Sequence, residues 1–237
     1  MKSNYKKIAI GLAITALIFF ICLIIINKTL MFRQNSESML PSVQSGDNVF
    51  ISKNVNNLKL GDIVVFKTPK APYVKRVIGM PGDKIQMKSG RLYINDKIVE
   101  RTNPQPYIIA NLPESLKSIG YYKDNIAIQG KQILIDGKPA EFNYVIDYKS
   151  DEYCRRNTYL CGVFQLTEYT EILPNGTKYN IIEMSNKGPL DDTEIFTVPQ
   201  NHLFFLGDNR DNSADSRIPD ISFVPTDAVM GIVSSIF

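Results

Sequence analysis

Polar and apolar residues fall along this chain in two different rhythms. From Ile8 to Ile26 nineteen successive positions carry no charge, and only Gly11 and Thr15 soften their apolarity. At about 1.5 Å of rise per residue, a helix of that length just crosses a bilayer core of about 30 Å. Lys2, Lys6 and Lys7 precede it, which by the positive-inside tendency predicts a cytoplasmic N-terminus and a chain continuing on the far side. The residues that follow, Asn27-Lys28-Thr29-Leu30-Met31-Phe32, offer no small-x-small cleavage site. The segment therefore reads as an uncleaved anchor rather than a removed signal peptide.

Beyond the anchor the rhythm shortens to that of strands. Asn48–Lys53, Asp62–Lys67 and Tyr73–Met80 are rich in Val, Ile, Phe and Tyr and are bounded by Gly, Pro and Asp. Ile85–Lys88 and Arg91–Ile94 flank Ser89-Gly90, a hairpin signal. Asn95-Asp96 marks a further turn before Ile98-Val99, and His202–Leu206 and Val229–Phe237 read as two late strands. The absence of amphipathic helical periodicity predicts an all-β, barrel-like domain. Between residues 100 and 197 the pattern loosens, with prolines at 104, 106, 113, 139, 174 and 189. There Gln132–Lys138 faintly echoes Arg91–Lys97, and the whole stretch reads as an inserted, mostly β subdomain.

Composition narrows the function classes. Net charge is +3, and the 27 basic residues are scattered, so there is no concentrated basic face of the kind that binds nucleic acid. A single histidine, His202, and three cysteines are a poor supply for a metal site. Cys22 falls in the anchor as apolar filler. Cys154 and Cys161 suit a small disulfide-closed loop in an oxidising compartment, or two free thiols; their spacing decides neither.

Three segments carry candidate chemistry. Ser36-Glu-Ser-Met-Leu-Pro-Ser42 begins ten residues past Ile26 and alone is only a loop kept extended before Pro41. In Tyr73-Val-Lys-Arg-Val-Ile-Gly-Met-Pro-Gly-Asp83, Lys75 shares a strand face with Tyr73, Val77 and Gly79. An amine among apolar groups loses hydration and protons together, which makes it a general base for a serine. Alone, Lys75 also fits a sheet-edge lysine whose amine reaches water. Gly207-Asp-Asn-Arg-Asp-Asn-Ser-Ala-Asp-Ser-Arg217 alone is a polar loop tied by Asx turns and Arg–carboxylate pairs.

Together these segments resemble the bacterial type I signal peptidases, also called leader peptidases, which are Ser-Lys serine proteases. Ser38-Met39 with Pro41 is similar to that family's nucleophile box, and Gly61-Asp-Ile-Val-Val-Phe66 to its next strand. Lys75-Arg76 with Gly79, Pro81, Gly82 and Asp83 matches the box of the general base, and Gly207–Arg217 matches the last box at nearly every position. Position 42 is Ser where Thr is usual, and position 37 is Glu where a small residue is common.

The resemblance implies Ser38 as nucleophile, Lys75 as general base, Ser36 in the oxyanion hole with the Ser38 N–H, and Ser213 as the group orienting the lysine. It implies Arg76, Asp208, Asp215 and Arg217 as supporting charges, and Met39, Phe66 and Val74 as lining for small substrate side chains. No metal and no cofactor are implied. The expected architecture is a mainly β catalytic domain (28–99 and 198–237) interrupted by a β-rich subdomain (100–197). An N-terminal tail and transmembrane helix (1–27) precede it. The expected partners are exported preproteins with small-x-small sites, membrane lipid and, by proximity, the export translocon. The expected location is the bacterial inner (plasma) membrane, single-pass, with the catalytic domain extracytoplasmic. A Ser-Lys protease dedicated to one partner, or an inactive membrane-tethered binding module, is the alternative. Glu37 adds a negative charge whose sign predicts an upward push on the Lys75 pKa.

Overall fold

The computed structural model describes residues 29–111, 126–129, 132–135, 138–139, 145–147, 162–184 and 187–237, with residue 15. The anchor segment, save Thr15, and all three cysteines lie outside them. Among the described residues no helix is long and apolar enough to cross a membrane.

The first run of strands is β1 (Thr29–Arg33), β2 (Asn48–Ser52), β3 (Ile63–Lys67), β4 (Pro72–Gly79), β5 (Lys84–Lys88), β6 (Arg91–Ile94), β7 (Lys97–Ile98) and β8 (Glu100–Asn111). Four short strands follow: β9 (Ile126–Gln129), β10 (Gln132–Ile135), β11 (Lys138–Pro139) and β12 (Val145–Asp147). The last are β13 (Gly162–Ile172), β14 (Lys178–Glu183), β15 (Phe196–Thr197), β16 (His202–Leu206), β17 (Val224–Pro225) and β18 (Val229–Ile236). A 3₁₀ turn at Thr226–Ala228 precedes β18. The protein is mainly β, as its strand rhythm predicts.

A seven-stranded sheet in the order β1-β2-β18-β3-β4-β16-β17 forms the framework, antiparallel at every pairing. β2 alternates, burying Val49 and Ile51. In β4, by contrast, every residue from Val74 to Gly79 is buried, so the strand is covered on both faces and Lys75 and Arg76 point into protein on opposite sides. On the Lys75 side, Val64, Phe66, Val77, Leu203, Phe205 and Val224 form one core cluster, with Phe66 stacked on Phe205 at 4.5 Å. Behind the loop that carries Ser38 a second cluster unites Met39, Val43, Val49, Ile51, Val65 and Val74.

The hairpins follow their turn residues. Ser89 and Gly90, and Asn95 and Asp96, all have positive φ, the conformation two-residue hairpin loops demand. β5, β6 and β7 join β15 in a four-stranded sheet, while β13 pairs with β8, β12 and β14. The long β8–β13 pair was not legible in the sequence, because Pro104 and Pro106 interrupt β8 and demote it as a strand.

The β13–β14 hairpin docks on the seven-stranded framework. Asn175 donates to the Leu60 carbonyl at 2.8 Å. Gly61, at φ +95°, has no room for a Cβ because Thr177 lies against it. A core cluster of Ile78, Ile85, Leu92, Leu173, Tyr179, Ile181 and Phe204 spans these sheets. An isolated parallel bridge, Ile182 to Asn209, then ties the end of β14 to the loop after β16.

Candidate active site

Three segments converge at the middle of β4. The loop between β1 and β2 carries Ser36 and Ser38, with a cis Leu40–Pro41 peptide at its turn. β4 supplies Lys75, and the loop after β16 supplies residues 207–217. The first and last are laced by backbone: Asn209 N–H donates to the Ser38 carbonyl at 3.1 Å, and Asn209 Nδ2 to the Glu37 carbonyl at 3.1 Å. Gly207 is required by this close approach, since a Cβ there would collide with the Ser213 side chain and the Ser38 carbonyl.

Lys75 Nζ lies 2.7 Å from Ser38 Oγ and also donates to its neighbour's carbonyl, Val74 O, at 3.0 Å. Ser38 is 6% exposed and Lys75 4%. Burial lowers the amine's pKa to about 8; Asp215 and then Asp208 push it up, and Arg217 pushes it down. A neutral amine beside a hydroxyl can take that hydroxyl's proton as oxygen attacks a carbonyl. Ser36 Oγ lies 3.1 Å from Ser38 Oγ and accepts from Gln34 Nε2 at 3.3 Å. Among the described residues nothing accepts from the Ser38 N–H, so it and the Ser36 hydroxyl can serve an oxyanion.

The supporting charges sit where pairing demands. Arg76 forks onto Asp208 at 2.8 and 2.6 Å, donates to Gly61 O at 2.7 Å, and reaches Ser42 Oγ at 3.1 Å. The hydroxyl kept at position 42 therefore has a partner. Asp215 accepts from Arg217 Nε at 2.8 Å and Nη2 at 2.9 Å, and from the Gly207 N–H at 3.0 Å. Burial raises the Asp215 pKa, but the Arg217 charge and these bonds outweigh it and hold it below the ordinary carboxylate value. Ser213 is buried with no partner at hydrogen-bonding distance for its Oγ, though it lies close enough to Asp215 to favour that carboxylate's ionised form. The orienting bond from Ser213 to the lysine, implied by the resemblance, is not formed in this structure. Glu37 is not among the charges acting most on Lys75; it raises the pKa of Tyr107, after burial and Glu168.

The pair opens into a cleft of about 810 Å³ lined by Ser36, Ser38, Lys75 and, on its apolar side, Phe32, Val65, Ala71, Tyr73, Val74 and Ile218. Of the three residues expected to line it, only Val74 does. Met39 and Phe66 are wholly buried in the clusters behind the wall, because Phe66 faces Phe205 across the core. Phe32 and Tyr73 were missed; their strand positions beside the boxes were the available signal.

A family model described as "Signal peptidase, peptidase S26" matches residues 6–117 and 115–237. A "Signal peptidase I" of Rickettsia conorii is 35% identical over 168 residues, covering 70% of this chain and 46% of its own length. Its counterpart in Rickettsia felis is 36% identical over 168 residues, with the same coverage, and that of Rickettsia typhi is 32% identical over 180 residues, at 72% and 48%. The chain thus spans about half the length of the curated relatives it matches. A crystal structure of a signal peptidase I from Enterococcus faecalis aligns with 76% of this chain and 100% of that one, at 19% identity and a TM-score of 0.34, too weak a likeness to argue from. With a family model matched over most of its length, the chain belongs to the signal peptidase family, peptidase S26.

Proposed function

We propose that this protein is a serine endopeptidase that cleaves signal peptides from exported preproteins, with Ser38 as nucleophile and Lys75 as general base. The observation that carries this reading is the 2.7 Å contact between a buried lysine amine and a serine hydroxyl at the floor of an open cleft. Ser38 Oγ attacks the scissile carbonyl carbon and its proton passes to Lys75 Nζ. The oxygen of the tetrahedral intermediate takes hydrogen bonds from the Ser38 N–H and the Ser36 hydroxyl. Collapse breaks the C–N bond, the Lys75 ammonium protonates the departing amine, and a water deprotonated by Lys75 then hydrolyses the Ser38 ester. Met39 and Phe66 act by supporting the cleft wall, and Val74 meets the substrate's small side chains.

The segment Ile8–Ile26 anchors the protein in the bacterial plasma membrane, with residues 28–99 and 198–237 forming an extracytoplasmic catalytic domain around the 100–197 subdomain. Ser38 lies twelve residues beyond Ile26, which keeps the cleft near the lipid surface and the translocon. There a preprotein's small-x-small site emerges beyond its own apolar segment.

Cleavage of an exported precursor bearing an Ala-x-Ala site, assayed in detergent, tests this. The parent cuts after the second Ala, while Ser38→Ala and Lys75→Ala remain folded and inactive. A parent inactive on several such precursors overturns general precursor processing.

A further inference from the structure

Glu171 lies on β13, in the region with no motif, and is 1% exposed. Its carboxylate accepts from the Arg210 guanidinium, from Arg101 Nη2 at 2.9 Å and from the Tyr179 hydroxyl at 2.5 Å. Burial raises its pKa, but Arg210, Arg101 and the Tyr179 bond outweigh that and lower it to about 2, so it stays charged. The other ionisable groups packed here are Glu183, paired with Arg101 at 2.6 Å, and Asp211, which acts on Glu183.

Two routes run from Glu171 to the lysine. Arg210, wholly buried, donates from Nε to the Gly207 carbonyl at 3.2 Å, and its own carbonyl accepts from Arg217 Nη2 at 2.7 Å. Arg217 in turn grips Asp215. By the second route, the Tyr179 ring lies 4.4 Å beneath the Arg76 guanidinium, and Arg76 forks onto Asp208. Asp215 and Asp208 are the two carboxylates that act on Lys75. A buried ionic cluster adds little net stability over apolar packing of equal volume, so a cluster placed here, behind both carboxylates, serves geometry.

We propose that Glu171 is a positioning residue for the Ser38–Lys75 pair, holding the 207–217 loop through Arg210 and the Arg76–Asp208 fork through Tyr179. The proposal rests on the peptidase reading and extends it to the inserted region.

The test uses the full chain in detergent, with an Ala-x-Ala precursor, comparing parent, Glu171→Gln and Tyr179→Phe. Glu171→Gln lowers kcat at pH 8 at least tenfold with KM within twofold. It also moves the acid limb of the pH–rate profile to higher pH, because a loosened loop readmits water to the amine. Tyr179→Phe, which keeps the ring on Arg76, shows the same changes to a smaller degree and decides the matter alone where Glu171→Gln does not fold. Variants that keep the parent's kcat and acid limb, however far their Tm falls, overturn the proposal. If the parent cleaves no precursor, the peptidase reading fails separately. The Lys75 titration, followed by its ¹³Cε chemical shift, then judges the positioning role: a rise in both variants upholds it, and an unmoved titration overturns it.

Discussion

At the scale of single residues, the proposed chemistry turns on one amine whose burial outweighs two carboxylates. With the Lys75 pKa lowered to about 8, the neutral base is the minor form at pH 7 and the major form at pH 9. Activity therefore rises with pH through an acid limb centred near 8, read from kcat/KM between pH 6 and 10. Asp215 stabilises the ammonium, so Asp215→Asn moves that limb to lower pH. Arg217, left without its partner, pushes the same way. Glu37→Gly leaves the limb where it is, since Asp215 and Asp208 are the carboxylates that dominate at the amine. The serine and lysine were legible in the sequence through their boxes, and so were Arg76, Asp208, Asp215 and Arg217. Glu171, Tyr179 and Arg101 were not, because a buried carboxylate and its partners from distant strands leave no local spacing to read.

At the scale of elements, β4 is the strand on which the site depends, and it is flanked by aromatic packing. Phe66 of β3 is wholly buried against Phe205 of β16, 4.5 Å away on the far side of β4. Phe66→Ala costs about 3–5 kcal/mol, the usual range for emptying a core aromatic site, and shows as a lower urea midpoint. Strands that alternate or run apolar between turn residues, such as β2, β3, β5 and β6, were readable from pattern alone. β1 was not, because only two residues separate its five from the apolar segment and no Gly or Pro turn precedes them. Met39 and Phe66 were misplaced on the cleft wall for a related reason. Adjacency to a motif fixes where a residue lies along the chain, whereas its face is fixed by the register of β3 against β4.

At the scale of the whole molecule, buried charge ties β8, β13 and β14 together and, through Arg210, to the loop after β16. Glu183 ends β14 beside Arg101, yet burial outweighs that partner and raises its pKa to about 7. A carboxyl raised on folding contributes stability at low pH that declines as the unfolded chain ionises, from about pH 4.5, and is gone above the folded value near 7. Glu183→Gln removes that dependence. The fall in Tm between pH 5 and pH 8 is therefore smaller in the variant than in the parent, by differential scanning calorimetry. The order of the framework sheet has a further consequence. β18 lies between β2 and β3, so within the sheet the strand that leads from the Ser38 loop and the strand paired with β4 are bridged by residues 229–236, while Val49, Ile51, Val65 and Val74 of those strands pack in one cluster. During synthesis Ser38 and Lys75 emerge well before residues 229–236, and the sheet closes between β2 and β3 only when that strand arrives. The order of synthesis thus withholds a finished framework from the proposed Ser38–Lys75 pair until the strand at residues 229–236 has been made.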